Sequence, residues 1–409
     1  MGSPPRSKPT RRWRIGVVLA IVALGVLASL VSVPGHQQVV LLDQLAASDA
    51  AAAVRYLPPL RPRPAGPCDR IESEYEAGND LLKGRRVGFY ARAWPSYQAL
   101  QALYIASLSP GARSCRADLT DNMRALDAHY WDDTYASPAA FDQGPHAFHL
   151  PWDAPRVDDS LWLGLAATRA YTLTHDRAFL ERAEAVFRLA VGNWDPRKGG
   201  VYWEYHTSGA TNHDKTVVSN APAALLGAAL YSQTGDQIYL AWSERMVDWA
   251  EANLLDAQTG LYNDHVDDDA RPASVGTAKF TYNQGVMVGA IAALSVLDPG
   301  RYRLSDAVDL ARRSMSYFAA HHAYGQPSFD AIWADNLLAT AGLYRNAAFT
   351  NEARSAVELA LKAEPGGGSL IADGSDTALT ELAHLSANRY LQLSYVSSGP
   401  VPRSVSQAG

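Results

Sequence analysis

Two consecutive carboxylates, Asp158 and Asp159, stand in the string Arg156-Val-Asp-Asp-Ser-Leu-Trp-Leu-Gly-Leu-Ala166, at the start of what the apolar spacing predicts to be an amphipathic helix. A pair of carboxylates at one point can divide the work of cleaving a glycoside. One attacks the anomeric carbon while the other protonates the departing oxygen, an arrangement that needs carboxyls about 5 to 5.5 Å apart. Neighbouring side chains can reach that separation. The competing use is structural: an acidic residue at a helix start accepts free backbone N–H groups and suits the positive end of the dipole. Asp132-Asp133 and the run Asp267 to Asp269 show that acidic clusters recur in the chain, so the surroundings of Asp158 and Asp159 must decide.

The elements available to position such a pair are helical almost throughout, with apolar residues at three- and four-residue spacing and turns marked by Gly, Pro, Asp and Asn. Strand signals are few. Tyr171-Thr-Leu-Thr-His-Asp-Arg-Ala-Phe-Leu180 matches Tyr231-Ser-Gln-Thr-Gly-Asp-Gln-Ile-Tyr-Leu240 at an offset of 60, and both lead into amphipathic stretches, Glu181 to Ala190 and Ala241 to Ala250. A weaker copy at Leu297-Asp-Pro-Gly-Arg-Tyr302 leads into Leu304 to Phe318. A period of this size marks a repeated helical hairpin that can bury its apolar stripe only against its neighbours. About 320 residues of such units give five or six hairpins, enough to close a ring of inner and outer helices. An open solenoid is the structural alternative. Gly199-Gly-Val-Tyr-Trp203 and Gly260-Leu-Tyr-Asn-Asp264 read as long turns that carry aromatic and polar groups toward a common face.

Outside this unit the chain changes character. Residues 1–14 are basic, 15–33 form an uncharged apolar run of 19 residues, and 34–67 pass from an Ala-rich stretch into a Pro-rich one. The run is near the length that spans a bilayer, and the preceding positive charges keep the amino terminus cytoplasmic. The expectation is therefore a transmembrane anchor or signal sequence, a stiff spacer, a catalytic domain over 68–396 outside the membrane, and a loose tail over 397–409. If the apolar segment is cleaved, the protein is secreted. Cys68 and Cys115 are the only cysteines, and in an oxidising compartment they are expected to pair, the alternative being two free thiols. A net charge of −6 gives no global basic footprint for nucleic acid. Ten Trp and twenty Tyr can fill a core, and their flat rings also suit the apolar faces of sugars.

The order Asp158-Asp-Ser-Leu-Trp-Leu163, Trp194, Gly199-Gly-Val-Tyr-Trp203, Lys215-Thr-Val-Val-Ser-Asn220, the Thr-Gly-Asp turn at Thr234 and Thr281-Tyr-Asn-Gln-Gly285 resembles glycoside hydrolase family 76. That family comprises endo-α-1,6-mannanases and related fungal cell-wall transglycosylases. The resemblance runs over roughly residues 85 to 390 and is strongest from 157 to 295. It implies an all-α (α/α)6 barrel, Asp158 as nucleophile, Asp159 as general acid and base, retention of configuration, and α-1,6-linked mannan as substrate. The chain departs from the family pattern in having Leu163, where a second aromatic commonly follows, so one sugar platform is missing or supplied elsewhere.

Physics of the pair agrees with that division: two adjacent carboxylates in a partly desolvated cleft do not both ionise easily, so one proton is shared and the macroscopic pKa values belong to both. Lys215, Ser219, Asn220, Tyr282, Asn283 and Gln284 are candidates to bind sugar hydroxyls. Asn220 and Asn283 could equally cap helices, and Tyr282 could be core. Trp162 and Trp203 are candidates to stack on mannose rings, and Trp162 could equally anchor its helix. No metal or other cofactor is expected: His146 and His149 lack a clear third ligand, and Asp267 to Asp269 lack the alternating spacing of a calcium loop. Transfer to a second glycan and a non-catalytic glycan-binding ring are the alternatives to hydrolysis. Sugar epimerases on helical rings lean on histidines, which here do not gather around the shared motifs.

Overall fold

The computed structural model describes residues 76–363, apart from 79, 83–89, 108–112, 134–138, 146–154, 206–211 and 271. Ten helices lie among the described residues: α1 (Ala93–Ser107), α2 (Arg113–Tyr130), α3 (Val157–Thr174), α4 (Arg177–Gly192), α5 (Val217–Thr234), α6 (Gln237–Leu254), α7 (Thr281–Leu297), α8 (Leu304–His321), α9 (Pro327–Tyr344) and α10 (Ala347–Ala363). They alternate between two environments. In α3 every residue from Asp159 to Thr168 is buried, whereas α4 buries one stripe, Phe179, Leu180, Ala183, Val186, Phe187 and Ala190. The first pattern belongs to a helix enclosed on all sides and the second to one with a solvent face. The amphipathic helix expected at Asp158 is thus corrected: α3 is an inner helix, and its neighbours cover nearly its whole circumference.

The same contrast separates α5 from α6 and α7 from α8. Each inner helix packs on its own outer partner and on the next inner helix. Close approach between α7 and α9 requires a glycine, since a Cβ on Gly285 would lie 2.4 Å from the Cα of Trp333. The row of inner helices curves back on itself, because Gln101 of α1 donates its side-chain amide to Asp335 of α9. Burial at that junction pushes the Asp335 carboxyl up to about 7, against the opposing pull of Arg169 and Gln101. The fold is therefore all-α, a curved double layer of helical hairpins, five of them among the described residues.

The sequence repeat proves to be the hairpin turn. His175 and Gly235 end α3 and α5 in the left-handed region and donate their N–H groups to Tyr171 and Tyr231, while Asp176 and Asp236 accept from Ala178 and Ile238 to start α4 and α6. These two-residue turns reverse the chain at one end of the ring. At the opposite end the connections are long and carry short strands: β3 (Trp131–Asp132) with β4 (Ala140–Phe141), β5 (Lys215–Thr216) with β8 (His265–Asp267) and β9 (Ser274–Gly276), and β6 (Leu255–Asp256) with β7 (Leu261–Tyr262), all antiparallel. A separate pair, β1 (Glu76–Gly78) and β2 (Leu81–Leu82), precedes α1.

The basic tail, the apolar run 15–33, the spacer and the tail 397–409 lie outside the described residues, as do Cys68, His146 and His149. No helix among the described residues is long and apolar enough to cross a membrane. Cys115 is buried on α2 and is not a free thiol.

Candidate active site

Each long connection is stapled to two neighbouring inner helices in the same way. The backbone of Phe141 bonds the Ser160 hydroxyl at 3.2 Å, that of Val201 the Asn220 amide at 2.9 Å, and that of Tyr262 the Gln284 amide at 2.8 and 2.9 Å. Ser160, Asn220 and Gln284 are each the fourth residue of an inner helix, α3, α5 and α7. Two residues further on, the carbonyls of Gln143, Trp203 and Asp264 accept from Ala93, Val157 and Val217, the first residues of the preceding inner helices α1, α3 and α5. These bonds satisfy N–H groups that a helix leaves unpaired. The side chains of Gln143 and Asp264 then reach the first turns of α3 and α7, where they bond Asp159 and Asn283.

Asp158 and Asp159 sit in the first turn of α3, in the mouth of the ring. The cap position is Arg156, whose side chain makes no capping bond, so neither aspartate is the N-cap. Gln143 donates its side-chain amide to Oδ2 of Asp159. Burial pushes the Asp159 carboxyl up, while the Gln143 hydrogen bond and the positive charges of Arg92 and Arg156 oppose the rise. Asp158 goes well above the usual carboxylate range, first through burial and then through the charge of Asp159, with a hydrogen bond from the Trp203 side chain pulling the other way. Its Oδ1 is sealed from solvent without a hydrogen-bond partner. Both carboxyls thus stand above the ordinary carboxylate range, Asp158 further than Asp159, and their proton affinities belong to the pair.

Of the other residues singled out from sequence, Trp203, Tyr282 and Asn283 join this mouth. The Arg156 guanidinium lies 4.9 Å from the centroid of the Trp203 ring and pairs with Glu204. Asn283 donates to Asp264 Oδ1 at 2.9 Å, and its own Oδ1 is buried without a partner. The Tyr282 hydroxyl is held above its ordinary range by burial and by the charges of Asp264, Asp158 and Asp159. Asp264 also faces Nδ1 of His265 at 2.8 Å.

Five expectations are corrected. Trp162 is 1% exposed and packs edge-on to Trp94 and against Tyr97, so it anchors α3 and offers no face to a sugar. Lys215 is 1% exposed, and its Nζ is taken by Asp195 at 2.6 Å and by Asp268. That ammonium helps to hold the Asp195 carboxyl down to about 2. Ser219 completes a capping box with Thr216 and donates to the Val201 carbonyl at 2.7 Å. Asn220 and Gln284 spend their amides on the staples described above. All four polar groups build the loops of the mouth from inside the protein.

Sequence reasoning missed Gln143, Trp94, Phe280 and Phe329, and noticed Asp264 only as part of a turn. The signal for Gln143 and Asp264 was the repeat itself: they occupy the positions in their connections that Trp203 occupies in its own. The three rings carried no signal, because an aromatic at a helix start reads as core until its neighbours are known.

A ring of helical hairpins with a coupled carboxylate pair at the amino-terminal ends of its inner helices is the architecture of a carbohydrate-active enzyme. The family model for glycosyl hydrolase family 76 matches residues 116–353, more than half of the chain, and the protein belongs to that family. The Saccharomyces cerevisiae mannan endo-1,6-alpha-mannosidase DCW1 is 25% identical over 234 residues, 54% of this chain and 49% of the yeast protein. The Candida albicans protein of the same name is 31% identical over 147 residues, 34% of this chain and 32% of its own. The chain thus spans half or less of the length of these curated relatives. Among solved structures, the family 76 mannosidase from Bacteroides thetaiotaomicron superposes with a TM-score of 0.65 at 18% identity, covering 85% of this chain and 98% of the other. The alpha-1,6-mannanase of a Salegentibacter species gives 0.65 at 19% identity, covering 85% and 99%. An inactive variant of that mannanase with two adjacent aspartates changed to alanine is in complex with alpha-1,6-mannotetrose, with a TM-score of 0.62 at 19% identity and coverage of 85% and 99%.

Proposed function

We propose that this protein is a retaining, endo-acting hydrolase of α-1,6-mannosidic linkages in cell-surface mannan, working through Asp158 and Asp159 without a cofactor. The observation that carries the proposal is the adjacent pair in the mouth, Asp159 buried and Asp158 half-buried, with an accepting carboxylate, Asp264, and a part-open aromatic surface beside it. Curated relatives bearing the name mannan endo-1,6-alpha-mannosidase support the choice of linkage.

In the first step a lone pair of the Asp158 carboxylate forms a bond to the anomeric carbon as that carbon's bond to O6 of the next mannose breaks. The proton on Asp159 passes to the departing O6. In the second step Asp159, now anionic, takes a proton from water; the oxygen attacks the same carbon and the ester to Asp158 breaks, leaving the α configuration in place. This division of roles follows the family resemblance. Asp158 holds its proton more firmly than Asp159, so attack requires that proton to pass to Asp159 once a glycosidic oxygen is seated, a transfer that neighbouring carboxyls allow.

Six hairpins, extracytoplasmic placement of the domain, and tethering or secretion through residues 15–33 belong to the same proposal. The test is Asp158→Asn and Asp159→Asn, measured separately on linear α-1,6-mannan. Cleavage should fall by at least about a thousandfold in each, with far-UV circular dichroism unchanged. Full activity in both would refute the proposal.

A further inference from the structure

Trp94 at the start of α1, Phe280 just before α7, Tyr282 in its first turn and Phe329 in the first turn of α9 gather on one side of the mouth. The rings of Tyr282 and Phe329 are stacked, with centroids 3.8 Å apart and planes 1° from parallel. Trp94 stands 6.5 and 6.2 Å from them and Phe280 5.9 and 5.8 Å, every one of these four pairs tilted by 76° or 77°. All four rings are only half-buried, and Phe280 and Phe329 lie outside the packed core. Phenylalanine has no polar tip to offer to water, so two such rings held part-open leave apolar surface wet at a cost that a ligand covering it would relieve. Contiguous aromatic surface of this kind marks a binding groove more often than a packing error.

We propose that Trp94, Phe280, Tyr282 and Phe329 form a wall that receives the apolar face of the pyranose adjoining the one attacked. The inference rests on the hydrolase reading above and adds where the neighbouring sugar sits. The occupant follows from what the wall adjoins. Tyr282 precedes Asn283, which donates to Asp264, and Trp94 follows Ala93, whose N–H bonds the carbonyl of Gln143, the residue that donates to Asp159, so the aromatic surface and the carboxylates meet along one edge. A pyranose presents the complementary surfaces: a C–H face for the rings, and hydroxyls around its edge that donate to carboxylates. A purely apolar ligand would desolvate the carboxylates and add no hydrogen bond to them, and an anionic one would meet like charge. The wall also supplies the stacking surface that Leu163 and the buried Trp162 do not provide.

The test is calorimetry with α-1,6-mannotetraose on full-length protein carrying Asp158→Asn and Asp159→Asn, which removes turnover from the measurement. Adding Phe329→Leu keeps apolar volume while removing the ring face, and should weaken binding about tenfold with an unchanged melting temperature; Phe329→Tyr should restore it. Trp94→Phe should reduce the tryptophan fluorescence change that the tetrasaccharide produces, and an undiminished change would overturn the wall. Equal binding by Phe329→Leu and its parent would overturn the wall and leave the hydrolase reading intact. Unchanged binding with a melting point several degrees lower would show that the chain itself covers these rings, which also overturns it. Failure of the parent to bind the tetrasaccharide would overturn the reading on which the wall depends, and the wall with it.

Discussion

Gln143 donates its side-chain amide to Asp159, and this bond opposes the rise that burial imposes on that carboxyl. With Arg92 and Arg156 it favours the Asp159 anion, while Asp158 has the Trp203 hydrogen bond and carries the repulsion of its neighbour. Asp159 therefore ionises first and Asp158 second.

The two hydrogen bonds can be read separately in a pH profile. Gln143→Leu removes stabilisation of the group that ionises first and should move the acidic limb of kcat/KM to higher pH. Trp203→Phe acts on the second group and should move the alkaline limb to higher pH. Each shift is expected to be about one pH unit, the size of one hydrogen bond to a charged acceptor. Movement of the acidic limb by Trp203→Phe, with the alkaline limb fixed, would reverse the order of ionisation.

The same burial that primes the pair destabilises the fold. Both carboxyls are raised above their unfolded values, so the native state binds more protons than the unfolded one, and stability falls as pH rises above about 4. Asp158→Asn removes one of the competing charges. Its melting temperature at pH 7 should exceed that of the parent by on the order of 2–4 °C, and the gain should vanish near pH 4. A variant less stable than its parent at pH 7 would mean that the charged pair supports the fold.

Lys215 gives the opposite response. Its buried ammonium joins Asp195 to the loop carrying Asp268, and removing it leaves Asp195 without its cation and Asp268 with only the exposed Lys198. Lys215→Met should cost about 3–5 kcal/mol in urea denaturation at pH 7. Because the Asp195 carboxyl is lowered to about 2, its share of that loss should be complete above pH 4 and shrink as pH falls toward 2. A Lys215 that served sugar hydroxyls would instead raise KM on substitution and leave the denaturation midpoint in place.

The hairpin turns, the helical class and the carboxylate pair were legible because each is written locally. A Thr-x-Asp turn caps its helix with its own side chain, and adjacent aspartates are neighbours in any fold. The roles of Lys215, Ser219, Asn220 and Gln284 were not, since they depend on bonds to residues 18 to 53 positions away. A buried amide that staples a loop and one that grips a hydroxyl have the same sequence signature. Trp162 misled for a related reason: inner helices bury every face, so the position after a catalytic turn can point into the core. Gln143 became visible only through its equivalence to Trp203 and Asp264, which appears once the three connections are superposed on the inner helices they join.

The central claim concerns the fate of the anomeric centre, and proton NMR of fresh products follows it most directly. Full-length protein incubated with linear α-1,6-mannan should release oligosaccharides of intermediate length whose new reducing ends appear first as α-anomers and only later equilibrate. Products that appear first as β-anomers, or as free mannose with no intermediate lengths, would contradict the account.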